Sequence, residues 1–322
     1  MFVFEDILKP TIWGGTKICQ FKGLDLLVES VGESWEISAV EGFESVVADG
    51  SDKGLTINQL VEKYGENLLG RTVVERFGKN FPILVKFIDA NENLSIQVHP
   101  NDEEAMARHG ANGKTEMWYV MDSDPKAAVM VGFKHDMTKE DFVNSVENST
   151  IVEKLQTYNV KKGDVFFLPP GRIHSICSGT LIAEIQQSSD ITYRIFDYDR
   201  VGKDGKKRQL HTDLALEVID YKAKDNYKIT YSRDCMGNVN LVKCKYFTTN
   251  LLKLNKTVKM DYRNVDSFII YMCMEGILEI NDTVSGEKRC LAKGNTILFP
   301  ASVEHMIIKP LETSEILEVM VE

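Results

Sequence analysis

The stretch KGDVFFLPPGRIH, residues 162–174, returns later in the chain as KGNTILFPASVEH, residues 293–305, and both copies fit the pattern G-x5-P-x4-H. Glycine permits a tight turn, the apolar run is typical of a strand that crosses a core, and proline ends the ladder of backbone hydrogen bonds. The histidine begins the returning strand. Two such units with the same spacing indicate an internal duplication of β structure. The alternative is two unrelated strand-turn-strand units.

Each copy resembles the second conserved motif of cupins, which are small double-sheet jelly rolls. Most of the remaining sequence consists of short β-branched and aromatic runs separated by Gly, Asp and Asn, which is typical of sandwiches and barrels rather than of alternating βαβ units. We therefore predict a mainly β protein with two cupin-type jelly-roll barrels and a few peripheral helices. The predicted domains are an N-terminal metal-binding cupin over residues 1–235 and a C-terminal degenerate cupin over residues 236–322.

Helical patterns are confined to a few places, at about residues 56–70, 101–110 and 138–156. The first of them opens with Thr56 as the N-cap, and its apolar residues recur at helical spacing. In the third, Thr138 is the expected N-cap and Asp141 occupies the capping-box position. We expect these helices to surround the β core near its mouth.

The two copies of the repeat differ in what precedes them. The strand pair before the second copy, SFIIYMCMEGILEI (Ser267–Ile280), contains no histidine and no cluster of possible ligands. A lone histidine on a strand is more often structural or exposed than a metal ligand, so His305 is predicted to bind no metal. The second cupin is therefore expected to serve as a scaffold.

Length and composition exclude several classes of protein. With 322 residues the chain exceeds the size at which a single core usually stops growing, so two packed units are expected. The formal net charge of -10 disfavours binding to nucleic acid, because that binding depends on Lys and Arg. The absence of a long apolar run and of a secretory signal predicts no membrane association and a cytoplasmic location. The six cysteines lack CxxC spacing, which argues against a thiolate metal site.

The densest chemical signal is KFIDANENLSIQVHP, residues 86–100. In its second half, Ser95, Gln97 and His99 alternate with apolar residues, and a period of two sends the three polar side chains to one face of a strand. If that face points into a barrel, a metal or a hydrogen-bonded ligand would satisfy the buried amide and imidazole groups. A solvated outer face on a one-sided sheet is equally compatible with this segment.

Two further segments offer candidate metal ligands. GKTEMWY, residues 113–119, places Glu116 at the start of a strand, and His174 closes the first copy of the repeat. Together with Gln97 and His99 they form a set that contains only nitrogen and oxygen donors. Two neutral imidazoles, a carboxylate and an amide oxygen suit Zn2+ with an open position for water or substrate, and Mn2+, Fe2+ or Co2+ also fit.

In their order and spacing, these segments resemble the successive signatures of the type I phosphomannose isomerases in their short bacterial form. The resemblance extends from near residue 10 to the end of the chain, and it is carried by IWGG (12–15), GESWEIS (32–38), SIQVHP (95–100), GKTEMWY (113–119), PPGRIHSI (169–176) and DITYR (190–194). The long eukaryotic members have a large helical insertion before the final barrel, for which this chain has no room.

The resemblance implies a metal-dependent aldose-ketose isomerase that interconverts D-mannose 6-phosphate and D-fructose 6-phosphate through an enediol. It implies one Zn2+ or another divalent metal in each chain. The ligands would be Gln97, His99, Glu116 and His174, with Arg194 as a catalytic residue. The partner is then a small-molecule sugar phosphate, and the sequence does not fix the oligomeric state.

Two cationic side chains near these segments suit such chemistry. Lys114 lies two residues before Glu116, so a strand that reaches this far puts both on one face, where Lys114 would donate to a substrate hydroxyl and is a second predicted catalytic residue. Arg194 is a fixed cation with five donors, suited to a sugar oxygen or a phosphate. The alternatives are a Lys114 in a mobile loop and an Arg194 paired with a neighbouring aspartate.

Further candidates for the wall of the active site are Lys86, Ser95, Glu184, Gln186 and Asp190. A dianionic phosphate needs local positive charge in a chain of net charge -10, so Lys86 and Ser95 are predicted to contact it, and Asp190 is predicted to contact the substrate. Glu184 is interpreted either as a partner of a ligand histidine or as a surface carboxylate.

Two other functions are compatible with a cupin scaffold, because cupins host many activities. A non-catalytic sugar-binding or regulatory cupin would keep the metal pocket, but the presence of Lys114 and Arg194 argues against it. A metal-dependent oxygenase would be expected to require Fe2+ and O2. A sugar-nucleotide epimerase would lack the ordered series of segments described above.

Overall fold

The structure is a computed structural model that describes residues 1–25, 30–202 and 205–322. The strands of its first half are β1 (Ile7–Gly15), β2 (Val31–Ile37), β3 (Ile83–Ala90), β4 (Ile96–Val98), β5 (Glu116–Ser123), β6 (Ala128–Phe133), β7 (Leu155–Asn159), β8 (Val165–Leu168), β9 (His174–Ile176), β10 (Thr180–Gln187), β11 (Tyr193–Phe196) and β12 (Lys228–Ile229). The strands of its second half are β13 (Gly237–Lys243), β14 (Thr248–Leu254), β15 (Val258–Asp261), β16 (Ile269–Glu275), β17 (Ile277–Asp282), β18 (Lys288–Ala292), β19 (Thr296–Phe299), β20 (His305–Pro310) and β21 (Ser314–Met320). The helices are α1 (Lys17–Lys22), α2 (Ile57–Tyr64), α3 (Glu66–Leu69), α4 (Arg71–Phe77), α5 (Asp102–His109), α6 (Lys139–Glu147), α7 (Ile151–Lys154) and α8 (Thr212–Val218).

Each half contains two antiparallel sheets with a common strand order. The first half has the orders β1-β2-β3-β10-β5-β8-β12 and β11-β4-β9-β6-β7, and the second has β13-β14-β21-β16-β19 and β15-β20-β17-β18. When β13 is matched to β2 and each later strand to its counterpart, the second half repeats the order of the first without the edge strands β1, β11 and β12. The two copies of G-x5-P-x4-H fall at β8–β9 and β19–β20, the same place in both. The predicted mainly β fold class is confirmed.

Apolar side chains pack in successive layers that follow the alternation of the strands. Along β5, Met117 and Tyr119 belong to a large cluster that combines residues of both halves. Trp118 and Val120 point the opposite way, into a cluster between the two sheets of the first half. The period of two in this strand therefore separates one packed face from another.

The outer face of the smaller sheet in the first half is covered by helices. Ile96 and Val98 of β4 pack there in a cluster that includes Phe142 of α6 and Ala215 of α8. Since neighbouring residues of a strand point to opposite faces, Gln97 is directed to the inner side. The alternative prediction, in which the polar face of this strand is a solvated outer face, is therefore wrong, because the outer face is apolar and buried.

The predicted helices are present, but two of them are broken. Thr56 and Thr138 cap α2 and α6, each in a capping box, and the box of Thr138 uses Asp141 as predicted. The helix predicted over 56–70 ends at Gly65, which has a φ of +52°, and α3 follows as a separate turn. The helix predicted over 138–156 breaks after α6, and a strand begins at residue 155. Helices α1, α4 and α8 were not predicted.

None of the helices in the described part of the chain combines the length and the apolar character that a membrane span requires. The longest of them, α6, has nine residues.

The contact between Phe81 and Phe268 joins the two halves inside the large cluster, with ring centroids 4.5 Å apart. We expect Phe268→Ala to lower the free energy of unfolding by about 3–5 kcal/mol, because it removes a fully buried ring and leaves a cavity. Denaturant unfolding followed by circular dichroism measures this loss. Phe43→Ala, at a ring that is 42% exposed, serves as the control and should cost no more than about 1.5 kcal/mol. Equal losses in the two variants would contradict the assignment of Phe268 to the core between the halves.

Candidate metal centre and active site

Three side chains meet between the two sheets of the first half. His99 follows β4, His174 begins β9 on the same sheet, and Glu116 begins β5 on the facing sheet. Glu116 Oε2 lies 3.5 Å from His99 Nε2, and Glu116 Oε1 lies 3.2 Å from His174 Nε2. All three side chains are buried, and one ligand atom from each lies within 4.8 Å of the others. This is a compact set of donors for a metal ion.

The backbone fixes the tautomer of both histidines. His99 Nδ1 lies 2.8 Å from the carbonyl oxygen of Ile191, and His174 Nδ1 lies 2.8 Å from that of Arg172. A carbonyl oxygen only accepts, so each Nδ1 carries the proton and donates it. Each Nε2 then carries a lone pair and lies next to the Glu116 carboxylate. This is the usual arrangement of metal-binding histidines, whose second nitrogen is held by a carbonyl or a carboxylate.

Two of these ligand atoms have no hydrogen-bond partner, which fits a metal. His99 Nε2 and Glu116 Oε1 are buried without a hydrogen bond, whereas Glu116 Oε2 pairs with the Lys114 ammonium at 2.9 Å. Burial lowers the pKa of His99 well below its ordinary value and lowers the pKa of His174 to about 4, so both imidazoles are neutral at physiological pH. Buried polar atoms without a partner are rare, and a divalent cation bound by these residues would provide the missing partner.

The predicted fourth ligand, Gln97, stands beside this set. Its Nε2 lies 3.3 Å from His174 Nε2, and its Oε1 accepts a hydrogen bond of 3.3 Å from the hydroxyl of Ser95. The two ends of an amide are assigned from their neighbours, and here Nε2 faces a lone pair. A half turn of the amide would direct the oxygen to the metal position and let the NH2 group donate to the Ser95 hydroxyl oxygen.

Two lysines and a second carboxylate surround the metal ligands. Lys114 Nζ lies 2.9 Å from Glu116 Oε2 and 3.9 Å from Glu184 Oε1. Lys86 Nζ lies 2.9 Å from Glu184 Oε1, and the indole N–H of Trp118 donates to Glu184 Oε2 at 2.8 Å. Both lysines are nearly fully buried, at 7% and 4% exposed for Lys86 and Lys114. The alternative of a mobile Lys114 is therefore wrong.

The two buried carboxylates have opposite shifts of pKa. Burial, together with the nearby charge of Glu184, raises the pKa of Glu116 to about 7 in the metal-free protein. Burial also acts on Glu184, but the charges of Lys86 and Lys114 outweigh it and lower the pKa of Glu184. Glu184 thus stays ionised, and Glu116 is the carboxylate that would bind a proton or a metal.

Arg194 and Asp190 stand at the edge of this site. Arg194 on β11 lies opposite Gln97 on β4, its Nη1 donates to the carbonyl oxygen of Gln209 at 2.9 Å, and its Nε is buried without a partner. Burial lowers the pKa of Arg194, and the neighbouring Arg208 adds to the effect. No aspartate among the described residues forms an ion pair with Arg194, so the pairing that the sequence left open is wrong. Asp190 is exposed.

Sequence reasoning did not find the role of Glu184. Its carboxylate is 2% exposed, so it is not a surface group, and the ligand histidines donate to backbone carbonyls instead. Its place follows from β10, which lies between β3 and β5 and puts Glu184 directly opposite Lys86 and Trp118. The only signal in the sequence is a charged residue within the apolar run TLIAEIQQ, because such a residue needs a buried partner.

The matching position of the second half lacks the metal ligands. His305 on β20 is opposite Asp261 on β15, as His174 is opposite Gln97 in the first half, and Ile269 takes the position of Glu116. The side chain of His305 is 38% exposed. In the part of the chain that the structure describes, the first half holds the one group of His, Cys, Asp and Glu that could bind a metal.

Fold and site together define a metal-binding protein of the cupin class. A family model described as phosphomannose isomerase type I, catalytic domain, matches residues 1–143. Mannose-6-phosphate isomerase ManA of Bacillus subtilis is 35% identical over 276 residues, which are 85% of each chain. The chain belongs to the type I phosphomannose isomerase family.

Solved structures of the same fold agree with this assignment. The crystal structure of the mannose 6-phosphate isomerase of Bacillus subtilis superposes with a TM-score of 0.88 at 31% identity, and covers 99% of this chain and 98% of that one. A mannose 6-phosphate isomerase whose structure is described as bound with zinc and yttrium superposes with a TM-score of 0.79 at 16% identity, over 100% and 99% of the two chains. The second likeness concerns the fold alone.

We expect Glu116→Gln to lower the affinity for a divalent metal by more than about 100-fold, since loss of an outer partner of a ligand already costs 10–100-fold. Isothermal titration calorimetry on chelator-treated protein measures the affinity. Glu103→Gln, on the exposed side of α5, is the matched control and should bind like the parent chain. An unchanged affinity in Glu116→Gln would rule this carboxylate out as a ligand.

Metal binding should also release a proton below neutral pH. Glu116, with a pKa of about 7 in the metal-free protein, holds a proton at pH 6 that the metal must displace, whereas at pH 8 the carboxylate is already ionised. His174, with a pKa of about 4, adds no proton in this range. We expect about one proton released for each metal bound at pH 6, almost none at pH 8, and an affinity that falls about tenfold per pH unit below pH 7. Calorimetry in buffers of different ionisation enthalpy counts the protons, and a value near zero at pH 6 would contradict the argument.

Proposed function

We propose that this chain interconverts D-mannose 6-phosphate and D-fructose 6-phosphate through an enediol, at a divalent metal held by Gln97, His99, Glu116 and His174. The observation that carries the proposal is the buried His99–Glu116–His174 group with an ammonium 2.9 Å from its carboxylate. Membership of the type I phosphomannose isomerase family supports the reaction. The same membership makes a sugar phosphate the substrate class.

Zinc is the metal we propose, with one ion in each chain. Two neutral imidazoles, one carboxylate and one amide oxygen form a ligand set that suits Zn2+ and leaves a position for substrate. The structure of a distant relative of the same fold, described as bound with zinc, supports this choice. When bound, the ion supplies a Lewis acid that polarises the carbonyl group of the sugar.

The chain's own residues then orient the sugar and stabilise the charge that develops on it. Moving a proton between C1 and C2 leaves negative charge on the sugar oxygens, and fixed donors aimed at those oxygens lower the barrier. We assign this role to Lys114, whose ammonium is buried and lies beside the metal ligands, and to Arg194, whose Nε is buried without an acceptor. Because both are held by surrounding groups, they need little reorganisation during the reaction.

Ser95, Lys86 and Asp190 are the proposed substrate contacts. Ser95 is buried next to Gln97, so its hydroxyl can reach a group bound at the metal. Lys86 is already paired with Glu184, and its contribution is positive charge in a chain that is acidic overall. Asp190 is exposed, close in sequence to the carbonyl that holds His99.

We assign these roles to a metal-binding domain over residues 1–235 and propose that residues 236–322 form a second domain without a metal site. The exposed His305 and the apolar Ile269 at the place of Glu116 support this division.

A coupled assay for fructose 6-phosphate formed from mannose 6-phosphate tests the reaction. Chelator-treated protein should be inactive, should regain turnover with added Zn2+, and should stay inactive as His99→Ala, because that variant loses an imidazole ligand. Circular dichroism of His99→Ala checks that it is folded. A folded, metal-loaded parent chain without turnover would overturn the isomerase and favour a sugar-binding cupin.

Arg194→Met distinguishes stabilisation of the transition state from binding of the phosphate. If the guanidinium acts on the charge that develops during the reaction, kcat falls by about 100-fold or more while KM changes little. Steady-state kinetics with mannose 6-phosphate provides both constants. Arg263→Met, at an exposed ion pair of the second half, is the matched control and should leave both unchanged. A rise in KM at an unchanged kcat would instead make Arg194 a phosphate contact.

A further inference from the structure

A turn of the second half contacts a carboxylate of the first half close to the proposed active site. Tyr246 lies in the turn between β13 and β14, where the N–H of Cys244 donates to the carbonyl oxygen of Phe247. Its hydroxyl donates to Asp102 Oδ2 at a distance of 2.5 Å. Asp102 is the first residue of α5, in the first half of the chain. A residue of the half without metal ligands thus bonds to a carboxylate close to the segment that carries Lys114 and Glu116.

We propose that Tyr246 is a positioning residue for the isomerase reaction, which holds the segment Gly113–Glu116 in place through Asp102 and Gln187. The inference rests on the catalytic role proposed above for Lys114. It gives residues 236–322 a part in the reaction although they contribute no metal ligand.

Asp102 connects the hydroxyl of Tyr246 to the backbone just before Lys114. Its Oδ1 accepts from the backbone N–H of Gly113 at 3.1 Å and from the side-chain amide of Gln187 at 2.8 Å. Both oxygens of this carboxylate are therefore occupied, Oδ2 by the Tyr246 hydroxyl and, at 3.5 Å, by the exposed ammonium of Lys245, and Oδ1 by the two donors of the first half. Fixing one oxygen fixes the plane of the group and so directs the other.

Gln187 extends this hydrogen-bond network to Thr115, the residue after Lys114. Its Oε1 accepts from the backbone N–H of Thr115 at 2.8 Å, and its own backbone N–H donates to the carbonyl oxygen of Thr115 at 3.1 Å. The N–H of Lys114 itself donates to the carbonyl oxygen of Pro100 at 3.1 Å. Three successive peptide groups are held in this way, from residue 113 to residue 115.

The segment Gly113–Glu116 is packed too closely against α5 to stay in place if α5 moves. A Cβ built at Gly113 would lie 2.4 Å from the carbonyl carbon of Asn101, so the backbone here already lies against the start of α5. A displacement of α5 or of Asp102 would therefore move the segment with it. Its reacting group, the ammonium of Lys114, lies 2.9 Å from Glu116, and misplacement of a catalytic group by 1 Å costs up to about 100-fold in rate.

A contact that only joined the two halves would behave differently. Its loss would lower the free energy of unfolding and leave the geometry near Lys114 unchanged. The cluster around Glu318 provides a comparison inside the same half, because Tyr262 donates to this buried carboxylate at 2.5 Å, just as Tyr246 donates to Asp102. Tyr262 makes no contact with the segment 113–116.

The test compares Tyr246→Phe with Tyr262→Phe in the zinc-loaded full chain. Each change removes one hydroxyl and keeps the ring. In Tyr246→Phe we expect the amides of residues 113 and 115 to exchange with deuterium about fivefold faster and kcat to fall about tenfold, with KM within about twofold of the parent. In Tyr262→Phe we expect the exchange at these amides and kcat to stay at the parent values, whatever happens to the unfolding midpoint.

A second variant checks that the effect runs through Asp102. Asp102→Ala should lower kcat at least as much as Tyr246→Phe, and the double variant should lose no more than Asp102→Ala alone, because both changes break one chain of contacts. Additive losses would overturn the proposal, as would parent values of exchange and kcat in Tyr246→Phe, or equal losses in Tyr262→Phe. Hydrogen exchange needs no turnover, so it measures the connection from Tyr246 to the segment even in an inactive protein. A parent chain that is inactive with mannose 6-phosphate would refute the proposed reaction alone.

Discussion

A carboxylate placed between two sheets, opposite two neutral imidazoles, is the constraint on which the first half depends. Glu116 is fully buried, and removing an ionised carboxylate from water costs several kcal/mol unless partners compensate. The compensation comes from Lys114 and from any metal shared with His99 and His174. The apolar layers on both sides of β5 exclude water, which strengthens each of these interactions.

The same carboxylate-centred arrangement exists twice, with different chemistry. In the first half Glu184 on β10 stands opposite Lys86 on β3, and in the second half Glu318 on β21 stands opposite Asn250 on β14. No cation among the described residues forms an ion pair with Glu318, which accepts from Tyr262 and from the Asn250 amide, and burial raises its pKa. The scaffold therefore tolerates an acid at this place with neutral donors, whereas the charged version in the first half accompanies a metal site.

Buried cations give this acidic chain a local environment that suits a sugar phosphate. The chain has a formal net charge of -10, but the site brings two buried ammonium groups and an arginine near the metal ligands. The two ammonium groups pair with Glu184 and Glu116, and the arginine donates to a backbone carbonyl. The second half adds packing and, through Tyr246, a fixed point for the segment next to Lys114.

The sequence by itself determined the mainly β class, the duplicated strand-turn-strand unit and the alternation that puts Gln97 and His99 on one face. These are local properties, since a strand has a period of two and a turn needs particular residues. It could not decide which face points inward, or that Glu184 pairs with Lys86, because these depend on which distant strands lie side by side. Only the tertiary structure placed Tyr246 beside the active-site segment, for the reason that sequence periodicity carries no information on contacts between separate sheets.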